Sequence, residues 1–507
     1  MERQSASQHK DGARARSPPL HLIRRQVARI LRILLKGDAQ RRAQGTIRSL
    51  VYKPSVVAKR ATLALTCGTL KYLQVLKEVL ASTDLITNKR KVQAELVYVL
   101  TYDVLFGQEV LPIGDAEKLV LSRKHALRAA LARLLVKKNV ASADKLLPSE
   151  VEVSDYAAPR YVRVNTLKIG VNDAFEVLSQ FTDVQYDDMI PYLLVLPAGT
   201  DLHDHSLVLQ GSLFLQGKAS CMPAQALDPI PEWEQVLDAC AAPGNKTVQL
   251  AAIMKGRGRI LACEQDRSRL KTLKKTVELA GASNIEVLHQ DFLQSNPFAA
   301  KFSKVRAILL DPSCSGSGTT LHRLDNLLPS FAKGQLEEDK EKQRVECLAR
   351  FQEAALRHAL SFPAVERIIY STCSINKREN EDVVASVLPF AHAHNFELAT
   401  AFPEWPHRGL EVVDGAHHLL RTDAARDKTD GFFIALFVRE QSWPSSLAGI
   451  NLANKSTSHH AAVEKEQDVE REQQDEAQEC MRVLTSFKGV QTESKKRRQK
   501  KKQKKKK

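Results

Sequence analysis

The spacing of apolar residues changes period along the chain. Leu20, Ile23, Val27, Ile30, Leu31 and Leu34 recur as one helix face, with Arg25, Arg29 and Arg32 on the other side. Helical spacing continues through Ala58–Leu80 and Lys91–Leu105, and helices and loops run on to about Val140, which predicts a helical domain over 20–150. A new register starts near Val151. Arg160–Asn165 alternates polar with aromatic or β-branched residues, and short strand and helix candidates follow to Leu215, so 151–223 is predicted to be a small mixed α/β unit. From about Pro231 strand-length apolar runs alternate with helices. The strands are Gln235–Leu237, Arg259–Cys263, Ile285–Leu288, Val305–Leu310, Arg367–Tyr370 and Phe432–Val438. The helices are Lys246–Met254, Arg267–Ala280, Lys340–Leu360 and Glu379–Leu388. This alternation predicts βαβ units and a doubly wound α/β domain over 224–441, its mostly parallel sheet covered on both faces.

The flanks differ from this pattern. Residues 1–19 are polar and basic, and 442–507 are rich in Glu, Gln, Ser and Lys, with a single short helix candidate at Ala477–Phe487. Both are expected to be disordered. The first amphipathic helix has the shape of a mitochondrial transit segment, since only Glu2 and Asp11 are acidic nearby; the helical pattern that continues after it favours the first helix of a domain. No stretch reaches the roughly 20 apolar residues of a membrane span, and no secretory signal is legible.

Charge sharpens the picture. The 507 residues carry a formal net charge of +16, and 11 of the 13 residues in Lys495–Lys507 are basic, so the excess is concentrated in a terminal polycation. The eight cysteines, Cys67, Cys221, Cys240, Cys263, Cys314, Cys347, Cys373 and Cys480, form no C-x-x-C pair. They read as free thiols of a reducing compartment, not as a disulfide framework or zinc site. His417-His418 and His459-His460 lack further ligand spacing, so no metal is expected.

Candidate chemistry clusters where strands end. In Leu237-Asp238-Ala239-Cys240-Ala241-Ala242-Pro243-Gly244-Asn245-Lys246-Thr247 a strand runs into small residues, turns at Pro-Gly and enters a helix that Asn245 can cap. Glu264 ends the next strand, where a doubly wound fold holds ribose hydroxyls, and Asp291 follows the third as a candidate for an adenine amino group. Together they describe a site for an adenosine-bearing cofactor. No Walker pattern and no G-x-G-x-x-G is present, which disfavours nucleotide hydrolysis and dinucleotide oxidoreduction. Two further strands end in Asp311-Pro312-Ser313-Cys314-Ser315-Gly316-Ser317-Gly318 and Tyr370-Ser371-Thr372-Cys373-Ser374. Two thiols and an aspartate beside such a cofactor suit one reaction in particular. Adding a thiolate to carbon 6 of cytosine makes carbon 5 a nucleophile towards an activated methyl group. An acidic group at N3 would stabilise the charge formed. Spacing alone leaves open which thiol attacks.

The segments Asp238–Thr247, Asp311–Gly318 and Ser371–Asn380, with Pro159–Lys168, Gly211–Ala226 and Thr429–Arg439, resemble the Nop2/Sun-domain RNA cytosine-5 methyltransferases. The likeness runs from about Ala28 to Arg439. Within the family, Asp-Pro-Ser-Cys-Ser-Gly-Ser-Gly and the helical N-terminal region resemble the branch that methylates large-subunit ribosomal RNA. The resemblance implies that Cys240, Ala241, Ala242, Pro243, Gly244, Asn245 and Lys246 wrap S-adenosylmethionine, that Glu264 holds its ribose and Asp291 its adenine, and that Arg269 contributes. It implies that Asp311 faces both cofactor and cytosine, that Cys373 is the nucleophile and that Cys314 assists release of the adduct. Glu264 stands where the family often has Asp.

These implications carry expectations about partners. The base must be unpaired or flipped out, so RNA has to meet basic and aromatic groups near the site. Arg160, Tyr161, Arg163 and Lys168 of the small unit are candidates, a solvated strand being the alternative. The lysine tail would bind phosphates without sequence preference and suits nuclear, nucleolar retention. A monomer acting on large-subunit ribosomal RNA or a preribosomal particle, away from membranes, is the expected state. Transfer or messenger RNA substrates, or an assembly factor with vestigial chemistry, are the rival functions.

Overall fold

The computed structural model describes residues 19–39, 46–53, 55–83, 85, 93–147, 158–228, 235–319, 324, 327–329 and 338–439. Residues 1–18 of the leader, the lysine tail and the helix candidate at 477–487 lie outside the described residues. The chain divides into two compact units, one comprising 1–153 with 323–334 and the other 154–322 with 335–507.

The first unit is helical: α1 (Leu20–Ala39), α2 (Ile47–Val51), α3 (Lys59–Lys71), α4 (Leu73–Ala81), α5 (Ala94–Phe106), α6 (Asp115–Ser122) and α7 (Lys124–Lys137). The α1 stripe read from sequence is its buried face, with Ile23, Val27, Leu31 and Leu34 packed against Leu96, Val97 and Leu100 of α5 in one core. Leu327 packs into the same core. Arg24 of α1 is buried with Asp103 of α5, Nε to Oδ2 at 2.7 Å, so an ion pair is sealed between the two helices.

In the second unit, β1 (Arg160–Val164), β2 (Gln185–Tyr186), β3 (Leu193–Leu196) and β4 (Leu213–Phe214) form an antiparallel sheet in the order β2-β3-β1-β4. With it go α8 (Val171–Ser179), α9 (Ser206–Leu209) and α10 (Lys218–Leu227). The larger sheet follows: β5 (Gln235–Asp238), α11 (Asn245–Ile253), β6 (Arg259–Cys263), α12 (Arg267–Ala280), β7 (Ile285–Leu288), β8 (Val305–Leu310), α13 (Glu338–Leu360), β9 (Arg367–Thr372), α14 (Glu381–Ala393), β10 (Phe396–Ala399), β11 (Leu420–Thr422) and β12 (Phe432–Arg439). Its order is β10-β12-β9-β8-β5-β6-β7, with β11 beside β12. Strands β5 to β9 pair in parallel and β10, β11 and β12 antiparallel.

The sequence explains this arrangement. β5, β8 and β9 are almost wholly buried because both faces of a central parallel strand are covered. On one side Leu237, Ile308, Ile368 and Tyr370 pack beneath Ala355, Leu356 and Ala359 of α13 and Val383, Val384 and Val387 of α14. On the other, Val236, Ala307, Leu309 and Ile369 meet Ala219, Met222 and Ala224 of α10 and Val248 and Ala251 of α11. The predicted helix at 379–388 begins two residues later, at Glu381, because Lys377–Glu379 is a tight 3₁₀ turn.

Candidate active site

Across the parallel sheet, sequence order rises β5-β6-β7 in one direction and β8-β9 in the other. The direction reverses between β5 and β8. In an open α/β sheet the crevice beyond the strand ends at that point is where ligands bind. The strand-end residues singled out from sequence follow these strands: Cys240–Lys246 follow β5, Glu264 follows β6, Asp291 lies beyond β7, Asp311 and Cys314 follow β8, and Cys373 follows β9.

The β5–α11 turn is built tightly. Ala241 N–H donates to Cys263 O at 2.9 Å, tying the turn to the end of β6. Gly244 has φ +109°, and a Cβ there would sit 3.0 Å from Leu273 Cδ1 and 3.1 Å from Thr276 Cβ of α12. Both the backbone angle and the space require glycine. Asn245 does not cap α11; it is the first helical residue, Gly244 occupies the cap position, and no side chain caps the helix. Arg269, from the first turn of α12, donates to Ala242 O and lies 3.5 Å from Glu264 Oε2, so it braces the turn against β6. Glu264 is buried and accepts from Asp266 N–H at 2.7 Å. Asp291 accepts from Leu293 N–H at 3.1 Å and Gln265 Nε2 at 3.0 Å, and burial raises its pKa above the ordinary aspartate value.

Asp238 was not singled out from sequence, yet it is the most perturbed carboxyl here. It is buried and accepts from Thr247 Oγ1 at 2.7 Å through Oδ2, while Oδ1 has no hydrogen-bond partner. Burial, reinforced by the nearby Asp311 charge and only partly offset by Thr247, raises its pKa to about 7. A short apolar strand followed by Asp was the available signal.

The reactive groups meet beyond β8 and β9. Cys314 Sγ and Cys373 Sγ are 3.2 Å apart, although 59 positions separate them in sequence. Asp311 Oδ2 pairs with Lys246 Nζ at 2.7 Å, and its Oδ1 accepts from Ser371 Oγ at 2.8 Å. Lys246 is therefore not a water-facing helix-start lysine. Its ammonium lies 5.2 Å from the Phe432 ring centroid and interacts electrostatically with Cys373. Burial pulls its pKa down, but Asp311, with Cys373 and Asp238, outweighs this and leaves it above the ordinary lysine value. The Cys314 thiol is pushed well up by its contact with Cys373 and by burial, so it stays protonated. Cys221 and Cys263 are pushed up to about 12, chiefly by burial, and Cys240 well up, which marks them as inert thiols. Gly318 N–H donates to Cys373 O at 3.0 Å and Gly431 N–H to Gly318 O at 2.9 Å, a backbone approach that no side chain would permit.

Two of the candidate RNA contacts are engaged by the protein itself, one buried and one at the surface. Arg163 is fully buried, its Nε donating to Gln216 Oε1 at 2.8 Å and its guanidinium lying 4.7 Å from the Phe214 ring centroid. Lys168 Nζ donates to Gln210 O and Leu279 O, each at 2.8 Å, joining the small sheet to the end of α12. Tyr161 donates to Lys428 O at 3.0 Å and Arg160 to Thr200 O at 3.2 Å. Among the described residues no cluster of His, Cys, Asp or Glu has metal-binding geometry, and no helix is long and apolar enough to cross a membrane.

Comparison with known proteins bears on both units. A family model described as 16S rRNA methyltransferase RsmB/F matches residues 224–438, and one for the NOL1/NOP2/Sun domain family member 5 N-terminal domain matches residues 60–147. The chain is 56% identical to the 25S rRNA (cytosine-C(5))-methyltransferase NSUN5 of Arabidopsis thaliana over 82% of this chain and 72% of that protein. It is 41% identical to the 28S rRNA (cytosine-C(5))-methyltransferase of Mus musculus, over 79% of this chain and 89% of that one. With the 25S rRNA (cytosine-C(5))-methyltransferase rcm1 of Schizosaccharomyces pombe the identity is 35%, over 77% and 87%. The crystal structure of PH0851 shares the fold, with a TM-score of 0.60 and 23% identity over 84% of this chain and 100% of that one.

Proposed function

Since the chain belongs to the NOL1/NOP2/Sun family of RNA cytosine-5 methyltransferases, in its NSUN5 group, we infer that it forms 5-methylcytosine in large-subunit ribosomal RNA, with S-adenosylmethionine as methyl donor and Cys373 as nucleophile. The observation that carries the assignment is the 3.2 Å contact between Cys373 and Cys314 beside the Lys246–Asp311 pair.

The residues fit the cofactor. S-adenosylmethionine offers an ammonium, a ribose diol and an adenine amino group, all donors, and Asp238, Glu264 and Asp291 are acceptors following three neighbouring parallel strands. The partnerless Oδ1 of Asp238 suits the ammonium. Cys240–Lys246 would line the cofactor, with Arg269 holding that turn.

In the reaction, Cys373 Sγ bonds to carbon 6 of the cytosine, and the electron pair of the 5,6 double bond moves onto carbon 5. When bound, S-adenosylmethionine supplies the electrophilic methyl group that this carbon takes up. Lys246 gives a counter-charge to the Cys373 thiolate and fixes Asp311, whose carboxyl would meet the N3 edge of the base. Cys314 lies against the sulfur of the adduct and, held as a thiol in the resting enzyme, assists the return step. In that step a base removes the carbon-5 proton, the double bond re-forms and Cys373 leaves as thiolate.

The target has to be unstacked to reach Cys373. We assign RNA contact to the small sheet around Arg160 and Tyr161 and to the lysine tail, whose contribution will fall steeply with salt. With such a substrate we propose a nucleolar protein that acts as a monomer on ribosomal RNA or a preribosomal particle. Incorporation of labelled methyl from S-adenosylmethionine into separated large-subunit, small-subunit and transfer RNA tests this. Label confined to large-subunit RNA as 5-methylcytosine is expected. Label in transfer RNA alone would overturn the substrate, and full rescue of a deletion by Cys373→Ala would reduce the protein to an assembly factor.

A further inference from the structure

The reaction as described leaves Glu379 unused. It ends the 3₁₀ turn after Cys373 and is fully buried. Its carboxylate reaches both cysteine loops. Oε1 accepts from the backbone N–H of Ser315, beside Cys314, at 2.7 Å and from Gln352 Nε2 at 3.2 Å. Oε2 accepts from Ser374 Oγ, beside Cys373, at 2.6 Å and from Asn376 Nδ2 at 3.0 Å. Gln352, buried on α13, also donates to Ser313 O at 3.0 Å, so the Cys314 loop is gripped on both sides of its thiol. Tyr370 donates to the backbone carbonyl of Glu379, and Asn380 holds Thr372 Oγ1 at 2.6 Å and Ser374 O at 2.9 Å.

A buried carboxylate is costly unless every lone pair finds a donor. Here two donors meet each oxygen, and charge makes such bonds short and directional. An apolar side chain could fill the same volume, but it would fix neither loop.

We propose that Glu379 is the positioning residue of the two-thiol centre: one carboxylate holds the Cys314 and Cys373 loops in a single relative placement, so that Cys314 meets the adduct that Cys373 forms. The proposal rests on the two-cysteine reaction given above. Glu379 also adds, after the Cys373 contact and burial, to the influences that keep Cys314 a thiol.

The variants Glu379→Gln and Glu379→Ala separate positioning from bulk stability. Glutamine turns one acceptor into a donor. Ser374 Oγ can reverse and accept from it, whereas the Ser315 N–H cannot, so glutamine keeps the Cys314 loop and loses Asn376. Alanine releases both loops. Full-length protein, large-subunit ribosomal RNA and labelled S-adenosylmethionine are used, and product is measured together with the covalent protein–RNA adduct on denaturing gels. Thermal melting and the KM for RNA are measured alongside. Glu379→Ala should slow turnover about 10- to 100-fold, the range a misplacement near 1 Å produces, with KM for RNA unchanged. Its adduct-to-product ratio should rise towards that of Cys314→Ala, with Glu379→Gln between it and wild type. A ratio equal to wild type in both variants, with adduct and product falling together in step with the folded fraction, overturns the proposal. Should Glu379→Ala melt below the assay temperature, the ratio in Glu379→Gln decides in the same way. Product formation by Cys373→Ala would instead overturn the underlying reaction, so the two failures are distinguishable.

Discussion

Asp238 turns pH into a probe of the crevice. Burial, with the Asp311 charge adding to it, moves this carboxyl from 3.8 to about 7. Each pKa unit is worth about 1.4 kcal/mol, so a shift of this size amounts to about 4 kcal/mol. The sign follows from proton counts. The unfolded chain releases this proton near its ordinary value, while the folded protein keeps it to about 7. Between those pH values the folded state binds more protons, so stability falls as pH rises. The penalty is absent below about pH 4 and complete above about pH 7. Asp238→Asn removes the titration and keeps an oxygen for Thr247. Urea unfolding followed by tryptophan fluorescence, with Trp405 buried in the core beside the sheet, gives the stability of both proteins at each pH. The difference should swing in favour of the asparagine variant by up to about 4 kcal/mol between pH 4 and pH 7 and then level off. Saturating S-adenosylmethionine should flatten the swing, because its ammonium beside Oδ1 would favour the charged carboxylate. The same variant should bind the cofactor about 10- to 100-fold more weakly, as one charged hydrogen bond is lost. A difference that stays flat from pH 4 to pH 7 would refute the reasoning.

Other perturbations reach different parts of the account. Lys246→Met leaves Asp311 without its partner and should lower kcat about 100-fold at unchanged KM for RNA, read by labelled methyl transfer; a wild-type rate would remove Lys246 from the chemistry. Gly318→Ala would place a Cβ 2.0 Å from Gly431 O, so it should cost about 1–3 kcal/mol in unfolding experiments and displace the Cys373 loop, with methyl transfer falling in parallel. Arg24→Met strands Asp103 in the helical core and should cost that unit about 3–5 kcal/mol, visible as faster amide exchange in α1 and α5; unchanged protection would contradict it.

Much of the catalytic domain was legible because its physics is local. The strand-length segments read at 305–310 and 367–370 announce parallel strands, and function in such a sheet gathers at the strand ends, so Asp311, Cys314 and Cys373 could be found without knowing how they meet. Their sulfur contact was not legible, since it depends on two loops 59 positions apart. Glu379 was hidden for the same reason: its partners lie on α13 and on both cysteine loops, and in sequence it is one acid among the charged residues that open a helix. Arg163 shows the opposite error. An arginine alternating with valines on a short strand reads as exposed, but the small sheet packs that face inward, where Gln216 and Phe214 receive the guanidinium. Asn245 misled because the turn needs glycine's positive φ at the cap position, which makes Asn245 the first helical residue.

The central claim is that Cys373, not Cys314, bonds to cytosine, and trapping the adduct tests it most directly. Ribosomal RNA fragments carrying 5-fluorocytosine lack the proton whose removal ends the reaction, so the covalent complex accumulates. Digestion and mass spectrometry of the linked peptide should place the nucleotide on Cys373, with no trapped species from Cys373→Ala. Linkage through Cys314, or an undiminished adduct in Cys373→Ala, would contradict the account.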